Sequence, residues 1–476
     1  MPEIDYKKIG FKSGLELHQQ LDSHKLFCNC PSILRKDEPD FEVTRKLHAV
    51  AGESGEVDVA AKHEAKLNKE FIYQGYDTTC LVELDEEPPH QINQDALQTT
   101  LHISFLLNCT IQPITQIMRK TVIDGSNTSG FQRTLLVARD GFIETSKGKV
   151  GIWYILLEED AARTAGERDG KKIYKLDRLG FPMVEIVTAP DIQDAEHAKE
   201  TALKIGELIR NVKVKRGIGT IRQDVNISIK GHPRTETKGF QDPKIMIKTV
   251  ETEVQRQIEN LKKNKKLKSE VRTVQKDGTT KFTRPLPGSA RMYPETDLPL
   301  LKISRDFINK AKKNLPKLKS VQEDELKQKG LNQDMIKLLF KQNKVEEFKE
   351  LLDIINSPQL IAKILLMFPK EIAKREKIDL KEVEEKLEDH YSTVLELFKK
   401  KKIKENQIKD ALKKIILGEE LVFEKVSVGD VEENIRKFIK SKPGLNANAY
   451  MGLVMKEFNG KIGGKEAMEI IKKHLN

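Results

Sequence analysis

Residues 222–229 have the sequence RQDVNISI, in which polar and apolar side chains alternate. Successive side chains of a β-strand point to opposite faces, so this alternation predicts a strand with four polar residues on one face. Those residues are Arg222, Asp224, Asn226 and Ser228. Four polar groups in register indicate a binding surface, but an exposed sheet face that binds nothing would show the same pattern.

Short β-branched runs of this kind recur up to about Leu300, separated by Gly, Asp, Asn and Pro residues that favour turns. One of these runs is EIVTAP at 185–190. Together they predict an antiparallel or mixed sheet. A helix is predicted to follow with Asp191 as its N-cap, because apolar residues between 192 and 209 fall near helical spacing.

The C-terminal part has a different pattern. From about Ser304 onward glycine becomes scarce and apolar residues recur every three or four positions, which predicts a helical domain. A break of Gly, Val and Ser near 426–429 precedes a segment that favours about three short helices. The predicted class is α+β, with an antiparallel-sheet domain at 1–300, an all-α helical domain at 301–425 and a small helical tail at 426–476.

Composition narrows the class of protein. With 476 residues and 38% hydrophobic content, the chain is long enough for two or three cores. It has no run of about 18 apolar residues and no apolar stretch at its start, which predicts a cytoplasmic protein that does not enter a membrane. The net charge is +11, and residues 301–476 carry 38 Lys and Arg against 29 Asp and Glu. A basic C-terminal third indicates a polyanionic partner, although solvated lysine-rich helices would give the same balance.

Three carboxylates and one imidazole are candidate ligands of a divalent metal. Glu16 and His18 stand two residues apart, so on a strand both side chains point to the same face. Glu158 follows an apolar stretch, and Glu185 has apolar neighbours on both sides. A carboxylate buried in such a strand requires a cation, and magnesium takes oxygen ligands of this kind. Salt bridges are the alternative, and the partners considered for them are Lys175, Arg163 and Arg178.

Phosphate binding requires cations and backbone N–H donors, and the sequence offers both. The candidate cations are Lys120, Arg222, Lys238 and Arg291. Segment 124–130, DGSNTSG, could hold phosphate oxygens through its N–H groups, although segments of this composition are often only turns. No GxxxxGK[ST] sequence occurs, so a P-loop is excluded.

Eight short blocks follow one another along nearly the whole chain. They are GLELHQQL, KLFCNCP, RKTVIDGSNTSGFQRT, LEEDAAR, LDRLGFPMVEIVTAPD, RGIGTIRQDVNISI, RTETKG and ARMYPETDLP. In this order they resemble the family formed by the B and E subunits of glutamyl-tRNA(Gln) amidotransferases. The sequences of the blocks CNCP, DGSNTSGFQRT and RGIGTIRQDVN resemble the archaeal E type more than the bacterial B type. The end of the chain, AYMGLVMKEFNGKIGGKEAMEIIKKHL, is similar to the tRNA-contacting tail that both types share.

The resemblance implies a role for several positions. The implied metal ligands are Glu16, His18, Glu158 and Glu185. The implied catalytic residues are Lys120, Arg222, Asp224, Lys238 and Arg291. The implied nucleotide-binding residues are Asn226, Gly130 and Gln132. The implied cofactors are ATP and Mg²⁺, bound in a cradle domain where the nucleotide and the tRNA acceptor end meet.

The implied activity is ATP-dependent phosphorylation of the γ-carboxylate of glutamate esterified to tRNA(Gln), followed by attack of ammonia on the acyl phosphate. The implied partners are charged tRNA(Gln) and an asparaginase-like glutaminase, the D-type partner, in a heterotetramer of two D and two E subunits. Two alternatives remain open: a non-catalytic tRNA-binding or assembly protein of the same fold, and a protein of the bacterial B type that works with A and C partners.

The chain departs from the family in the region that follows the cradle blocks. Members of the E type commonly carry an inserted domain similar to one in bacterial aspartyl-tRNA synthetases. The interval from Lys262 to Arg284 is too short to contain it, so the chain resembles a shortened form. Within this interval, Asp277 and Gly278 favour a hairpin turn.

The cysteines differ as well. Four cysteines in so long a chain do not indicate a disulfide framework. The zinc motif of many members of the B type pairs a CxC with a later CxxC, whereas here Cys28 and Cys30 are followed by a single Cys80. Cys109 is expected to be a small buried side chain. Three cysteines leave a zinc site one ligand short, so the sequence does not favour zinc.

Overall fold

The computed structural model describes most of the chain. The described residues are 4–52, 55–240, 243–263, 267–286, 288, 291–342, 344–419, 421, 428–457 and 464–475. They divide into two compact units between Leu318 and Lys319. The domain boundaries at 300 and 425 stay predictions, and residues 426 and 427 of the predicted break lie outside the described residues.

The first unit contains the described strands and five of the helices. The strands are β1 (Lys12–Gln20), β2 (Phe41–Lys46), β3 (Glu70–Gly75), β4 (Thr110–Ile111), β5 (Ile114–Thr115), β6 (Ile117–Thr121), β7 (Phe131–Thr145), β8 (Gly148–Glu159), β9 (Arg163–Arg168), β10 (Lys171–Lys175), β11 (Pro182–Thr188), β12 (Ile221–Ser228), β13 (Thr235–Phe240), β14 (Glu270–Val274), β15 (Thr280–Pro285), β16 (Met292–Pro294) and β17 (Leu301–Lys302). The helices are α1 (Val59–Ala65), α2 (Gln94–Leu106), α3 (Ala195–Ile209), α4 (Pro243–Lys262) and α5 (Arg305–Lys313).

Eleven of the described strands form one large sheet. Its order is β15-β14-β13-β12-β1-β11-β8-β7-β6-β16, and β4 also pairs with β7. The neighbours are antiparallel except for β13 and β14, which run parallel. The first strand of the chain thus lies between β11 and β12, which join it from later in the sequence. This confirms the predicted antiparallel or mixed sheet.

The alternation of polar and apolar residues gives the sheet two different faces. On the apolar face, Leu17, Ile186 and Val225 are fully buried. Helices α2, α3 and α4 add buried residues such as Ile205 and Val250 to the same core. Burial of this apolar surface is the main force that fixes the sheet against the three helices. The polar face is left to form the site described below.

A smaller sheet with the order β2-β3-β10-β9 stands beside the large one. Tyr73 and Tyr174 are buried in its own apolar cluster. Their hydroxyls donate hydrogen bonds to the carbonyls of Gly125 and Asp124, each at 2.9 Å. The small sheet therefore supports the loop that contains the DGSNTSG segment.

The predicted N-cap of helix α3 was wrong. The helix begins at Ala195, and its N-cap is Asp194, whose side chain accepts a hydrogen bond from the N–H of His197. Asp191 instead accepts one from the N–H of Gly151 at 2.9 Å. Aspartate is a favoured N-cap residue, so either position could have capped the helix. The side chain of Asp191 is instead used in the contact with strand β8, and Asp194 caps the helix.

The predicted hairpin in the shortened interval is confirmed. Strands β14 and β15 are antiparallel neighbours, and the turn between them holds Gly278 with φ +83°. A positive φ of this kind favours glycine. Residues 264–266, within the shortened interval, lie outside the described residues.

The second unit is helical in its described part, so the α+β class is confirmed. Its helices are α6 (Lys319–Gln328), α7 (Gln333–Lys341), α8 (Val345–Ile354), α9 (Pro358–Leu366), α10 (Phe368–Glu376), α11 (Leu380–Leu387), α12 (Tyr391–Lys399), α13 (Ile408–Leu417), α14 (Val428–Ser441), α15 (Ala447–Glu457) and α16 (Gly464–Leu475). Helices α6–α13 share one apolar cluster, and α14–α16 share another around Tyr450 and Ile471. Within the described residues, no helix combines the length and apolar character that a membrane span needs.

Candidate functional site

The polar face of the large sheet lines a cavity of about 690 Å³. Most of the predicted site residues line it, although they come from seven different strands and the segment just before β16. These residues are Glu16, His18, Lys120, Gln132, Glu158, Glu185, Arg222, Asp224, Lys238 and Arg291. The other two predicted residues lie just behind the lining. The Asn226 side-chain amide donates a hydrogen bond to Glu16 Oε1 at 2.9 Å, and Gly130 ends the DGSNTSG turn with φ +76°.

A first group of candidate metal ligands contains His18, Glu158 and Glu185. Strand pairing places His18 directly opposite Glu185, and Glu158 follows on the next strand, β8. His18 Nε2 is 3.8 Å from Glu158 Oε1 and 3.8 Å from Glu185 Oε1. One donor atom of each residue lies within 4.8 Å of the others, which is close enough for all three to contact one cation.

Lys120 is the cation that contacts this group in the structure. Its Nζ is 2.6 Å from Glu158 Oε2 and 3.3 Å from Glu185 Oε2. Burial raises the pKa of Glu158, whose side chain is 1% exposed. Burial acts in the same direction on Glu185, but Lys120 and His18 outweigh it and lower the pKa of that carboxyl. The two buried carboxylates can thus carry negative charge because the ammonium of Lys120 compensates it.

A second group of carboxylates lies beside the first and contains Glu16, Asp224 and Glu236. Glu16 was predicted to share a site with His18, but its carboxylate belongs to this neighbouring group. Lys238 Nζ is 2.7 Å from Asp224 Oδ2 and also contacts Glu236. Burial raises the pKa of Glu16, and the nearby Glu236 raises it further.

Glu236 was missed by the sequence analysis. It stands two residues before Lys238 in RTETKG, on strand β13, so both side chains point to the cavity face. The same i, i+2 spacing had identified Glu16 and His18. The same spacing could therefore have identified Glu236, but only Lys238 was predicted as a site residue.

Asp160 was also missed, although it ends the acidic run that contains Glu158. It is 1% exposed and accepts hydrogen bonds from Gln20 Nε2 at 2.6 Å and from Arg222 Nη2 at 3.0 Å. Arg178, one of the salt-bridge partners considered from the sequence, lies 3.6 Å from Asp160. Arg222 is thus oriented by a buried carboxylate while its side chain remains 40% exposed in the cavity.

Three further arginines line the cavity, namely Arg234, Arg284 and Arg291. Within the described part of the chain, none of the three lies at salt-bridge distance from an acidic side chain. Burial lowers the pKa of Arg291, and the charge of Arg284 lowers it further. Cations that lie close together favour an anionic ligand, and guanidinium groups match phosphate geometry.

The DGSNTSG loop forms another part of the wall through Asp124, Ser126 and Asn127. Asp124 Oδ1 accepts a hydrogen bond from the N–H of Ser126 at 3.0 Å, which fixes the first turn. Gly125 has φ +94°, and a Cβ at that position would lie 2.3 Å from the ring of Phe71. Glycine is therefore required where the loop crosses the small sheet.

Comparisons with known proteins cover the part of the chain that forms this cavity. A family described as the GatB/GatE catalytic domain matches residues 11–309, which include every cavity residue named above. The E subunit of glutamyl-tRNA(Gln) amidotransferase from Methanocaldococcus jannaschii is 37% identical, with 99% of each chain covered. The E subunit from Archaeoglobus fulgidus is 34% identical, with the same coverage. A relative of the same name from Methanococcus maripaludis is 50% identical over 57% of this chain and 45% of its own.

The alignment with the M. jannaschii protein extends over 633 positions, whereas the present chain has 476 residues. That relative therefore contains residues that this chain lacks, as expected for a shortened form. The names of these relatives are those of a tRNA-dependent amidotransferase. Since the family match covers more than half of the chain and the full-length relatives exceed 30% identity, this protein belongs to the GatB/GatE family of tRNA-dependent amidotransferase subunits.

Proposed function

We propose that this chain uses ATP to activate the γ-carboxylate of glutamate on tRNA(Gln) and then transfers ammonia to it. The observation that carries the proposal is the convergence on one cavity of two carboxylate groups, each with a lysine, and three arginines that have no acidic partner among the described residues. Such a cavity matches a nucleoside triphosphate with its cation on one side and the carboxylate that accepts its γ-phosphoryl group on the other. The family membership agrees with it.

The reaction has two steps. A γ-carboxylate oxygen of the esterified glutamate attacks the γ-phosphorus of ATP, and the bond from phosphorus to the ADP oxygen breaks. Ammonia then attacks the acyl carbon, the C–N bond forms, phosphate leaves with the electron pair of the broken C–O bond, and the nitrogen loses one proton, giving Gln-tRNA(Gln). Activation is needed because a carboxylate oxygen is a poor leaving group, whereas phosphate is a good one.

The residues present fit a magnesium ion. Glu158 and Glu185 already bind a cation, Lys120, and the second group of Glu16, Asp224 and Glu236 offers oxygen donors alone. Oxygen ligands suit Mg²⁺, which keeps waters and phosphate oxygens in its remaining positions. When bound, such an ion would neutralise charge on the transferring phosphoryl group.

The arginine side chains of the cavity would position the phosphates of ATP. Arg234, Arg284 and Arg291 are available for phosphate oxygens because no described carboxylate engages them. Arg222, held by Asp160, would place a further guanidinium at the reacting group. In reactions of this type, positioning and electrostatic stabilisation supply most of the rate acceleration.

Ammonia and tRNA would come from partners. An ammonia source is required, and the proposed source is an asparaginase-like glutaminase of the D type, in a heterotetramer of two D and two E subunits. The tRNA would contact the C-terminal part of the chain, because residues 301–476 carry 38 Lys and Arg against 29 Asp and Glu.

A direct assay tests the proposal. The purified protein is supplied with ATP, Mg²⁺, ammonium chloride and Glu-tRNA(Gln), and both Gln-tRNA(Gln) and ADP are measured. We expect both products in equal amounts, each dependent on ATP. Binding of the tRNA without ADP or Gln-tRNA(Gln) would contradict the proposal and favour the non-catalytic tRNA-binding alternative.

Replacing Arg284 by glutamine tests the phosphate site. Arg284 has no described acidic partner, so its loss should leave the fold intact. Removing one charge-assisted contact of about 1.5 kcal/mol should raise the KM for ATP about tenfold. The matched control is Arg139→Gln on strand β7, where the side chain is exposed and pairs with Asp140. An unchanged KM for ATP in Arg284→Gln would remove this residue from the phosphate site.

A further inference from the structure

A short helix lies against the segment that carries two of the cavity arginines. Helix α1 follows strand β2 of the small sheet in the chain and packs against strand β15 of the large sheet. Its residues Ala60, Ala61 and Glu64 line a small cavity of about 40 Å³. Arg284 and Arg291 line the same small cavity, so α1 forms part of their immediate surroundings.

Asp58 links this helix to the segment between the two arginines. Its Oδ2 accepts hydrogen bonds from the N–H groups of Ala60 at 2.9 Å and Ala61 at 3.0 Å, which makes Asp58 the N-cap of α1. Its Oδ1 accepts a hydrogen bond from the N–H of Gly288 at 2.8 Å. Gly288 lines the main cavity and lies between the two arginines in the chain. The carboxylate thus bonds to the helix through one oxygen and to the arginine segment through the other.

A helix cap alone does not account for this carboxylate. Asp58 is 2% exposed, and no lysine or arginine of the described residues lies at salt-bridge distance from it. Burying a charge without a counter-ion is costly, so backbone N–H groups are needed to satisfy both oxygens. Serine or asparagine would cap the helix equally well, but each has a single side-chain oxygen. Only a carboxylate of this length can accept from α1 and from Gly288 at the same time.

Arg291 is constrained from two directions. Its Nε donates a hydrogen bond to the carbonyl of Thr121 at 3.3 Å, at the end of strand β6. Its chain segment is held at Gly288 by Asp58. Burial lowers the pKa of Arg291, and the negative charge of Asp58 is among those that oppose this effect and favour the charged guanidinium. The bridge therefore affects both the place and the charge of a candidate phosphate ligand.

We propose that Asp58 is a positioning residue of the phosphate site, which fixes the segment around Gly288 and thereby places Arg284 and Arg291 for the phosphate oxygens of ATP. This inference rests on the proposed function, because that function assigns phosphate to these arginines. Asp58 itself is not among the residues that line the main cavity, so it acts through the arginines. The small sheet and its connections would then support two walls of the cavity, since its buried tyrosines also hold the DGSNTSG loop.

Replacing Asp58 by asparagine separates the two bonds. The amide has the size of the carboxylate and keeps the helix cap, but its NH₂ group then faces the N–H of Gly288, and two donors cannot bond to each other. We expect the KM for ATP to rise about fivefold, the effect of losing one hydrogen bond, while kcat changes less than about twofold. The matched control is Asp194→Asn at the N-cap of α3, which packs on the apolar face of the sheet, and it should keep the wild-type KM.

The coupling of Asp58 to Arg284 distinguishes positioning from a general loss of stability. In an Arg284→Gln background, Asp58→Asn should raise the KM for ATP only about twofold, because Arg291 is then the one guanidinium of the pair left to position. A change that merely loosened the fold would raise the KM by the same factor in both backgrounds.

Hydrogen exchange tests the bond itself without any substrate. In the free protein, the amide of Gly288 should exchange about fivefold faster in Asp58→Asn than in the wild type, whereas the amides of strand β12 should not change. Unchanged exchange at Gly288 would overturn the role of Asp58. So would a wild type that forms product while Asp58→Asn leaves the KM for ATP unchanged, or raises it equally with and without Arg284. A wild type that forms no Gln-tRNA(Gln) would instead overturn the proposed function, and this role with it.

Discussion

Replacing Glu158 by glutamine should lower the rate of ATP-dependent Gln-tRNA(Gln) formation by at least about 1000-fold, which corresponds to about 4 kcal/mol of transition-state stabilisation. The amide keeps the size of the side chain but removes a charge that is 1% exposed and lies between His18 and Lys120. A cation site built on Glu158 and Glu185 would then have one carboxylate instead of two. ADP and Gln-tRNA(Gln) should decrease together, measured from initial rates at saturating ATP.

The control for this variant is Glu144→Gln. Glu144 lies on the neighbouring strand β7, but its side chain is exposed and pairs with Lys149 outside the cavity. It should keep the wild-type rate. Both variants should bind Glu-tRNA(Gln) with unchanged affinity, because neither change alters residues 301–476, where Lys and Arg outnumber Asp and Glu. Normal turnover in Glu158→Gln would show that this carboxylate is only a salt-bridge partner of Lys120.

The local part of the site could be predicted from the sequence. Alternation in RQDVNISI assigned Arg222 and Asp224 to one face of a strand, and both line the cavity. Glu185 drew attention because an acid inside an apolar strand needs a partner, and Lys120 is that partner. These predictions succeed because a period of two and the cost of burying a charge are properties of a single segment.

The remaining features depend on contacts between distant segments. Strand β1 lies between β11 and β12, and the register of both pairings places Glu16 opposite Asp224 and His18 opposite Glu185. No local pattern specifies this order, so Glu16 was grouped with His18 instead of with Glu236.

Replacing Lys120 by methionine should distinguish the contribution of this lysine to stability from that of the Mg²⁺ ion that we propose to bind the same two carboxylates. Within the described residues, Lys120 is the only lysine or arginine at salt-bridge distance from Glu158 and Glu185. Its removal leaves two buried carboxylates without a compensating cation, which should reduce the free energy of unfolding by about 3 kcal/mol in the absence of Mg²⁺. Chemical denaturation at constant ionic strength measures this loss.

The loss should grow with pH. Burial and the neighbouring charge of Glu185 raise the pKa of Glu158, and without the ammonium of Lys120 nothing from that side opposes them, so Glu158 favours its protonated form in the folded variant. A folded-state pKa above the unfolded value contributes stability at low pH, and that contribution disappears as the pH rises through the folded pKa. Lys120→Met should therefore be closer to the wild type at pH 5 than at pH 8.

Magnesium should then restore the stability of the variant more than it stabilises the wild type. In the wild type, an ion that binds Glu158 and Glu185 has to displace the ammonium from Glu158 Oε2, which is only 2.6 Å away. In Lys120→Met that competition is gone, so the ion binds a free pair of carboxylates and stabilises the folded state by mass action. Lys215→Met is the control, because Lys215 is half-buried above the ring of Phe181 and contacts neither carboxylate. If Mg²⁺ stabilised Lys120→Met no more than Lys215→Met, these carboxylates would not be the magnesium ligands, and Lys120 itself would be their permanent partner.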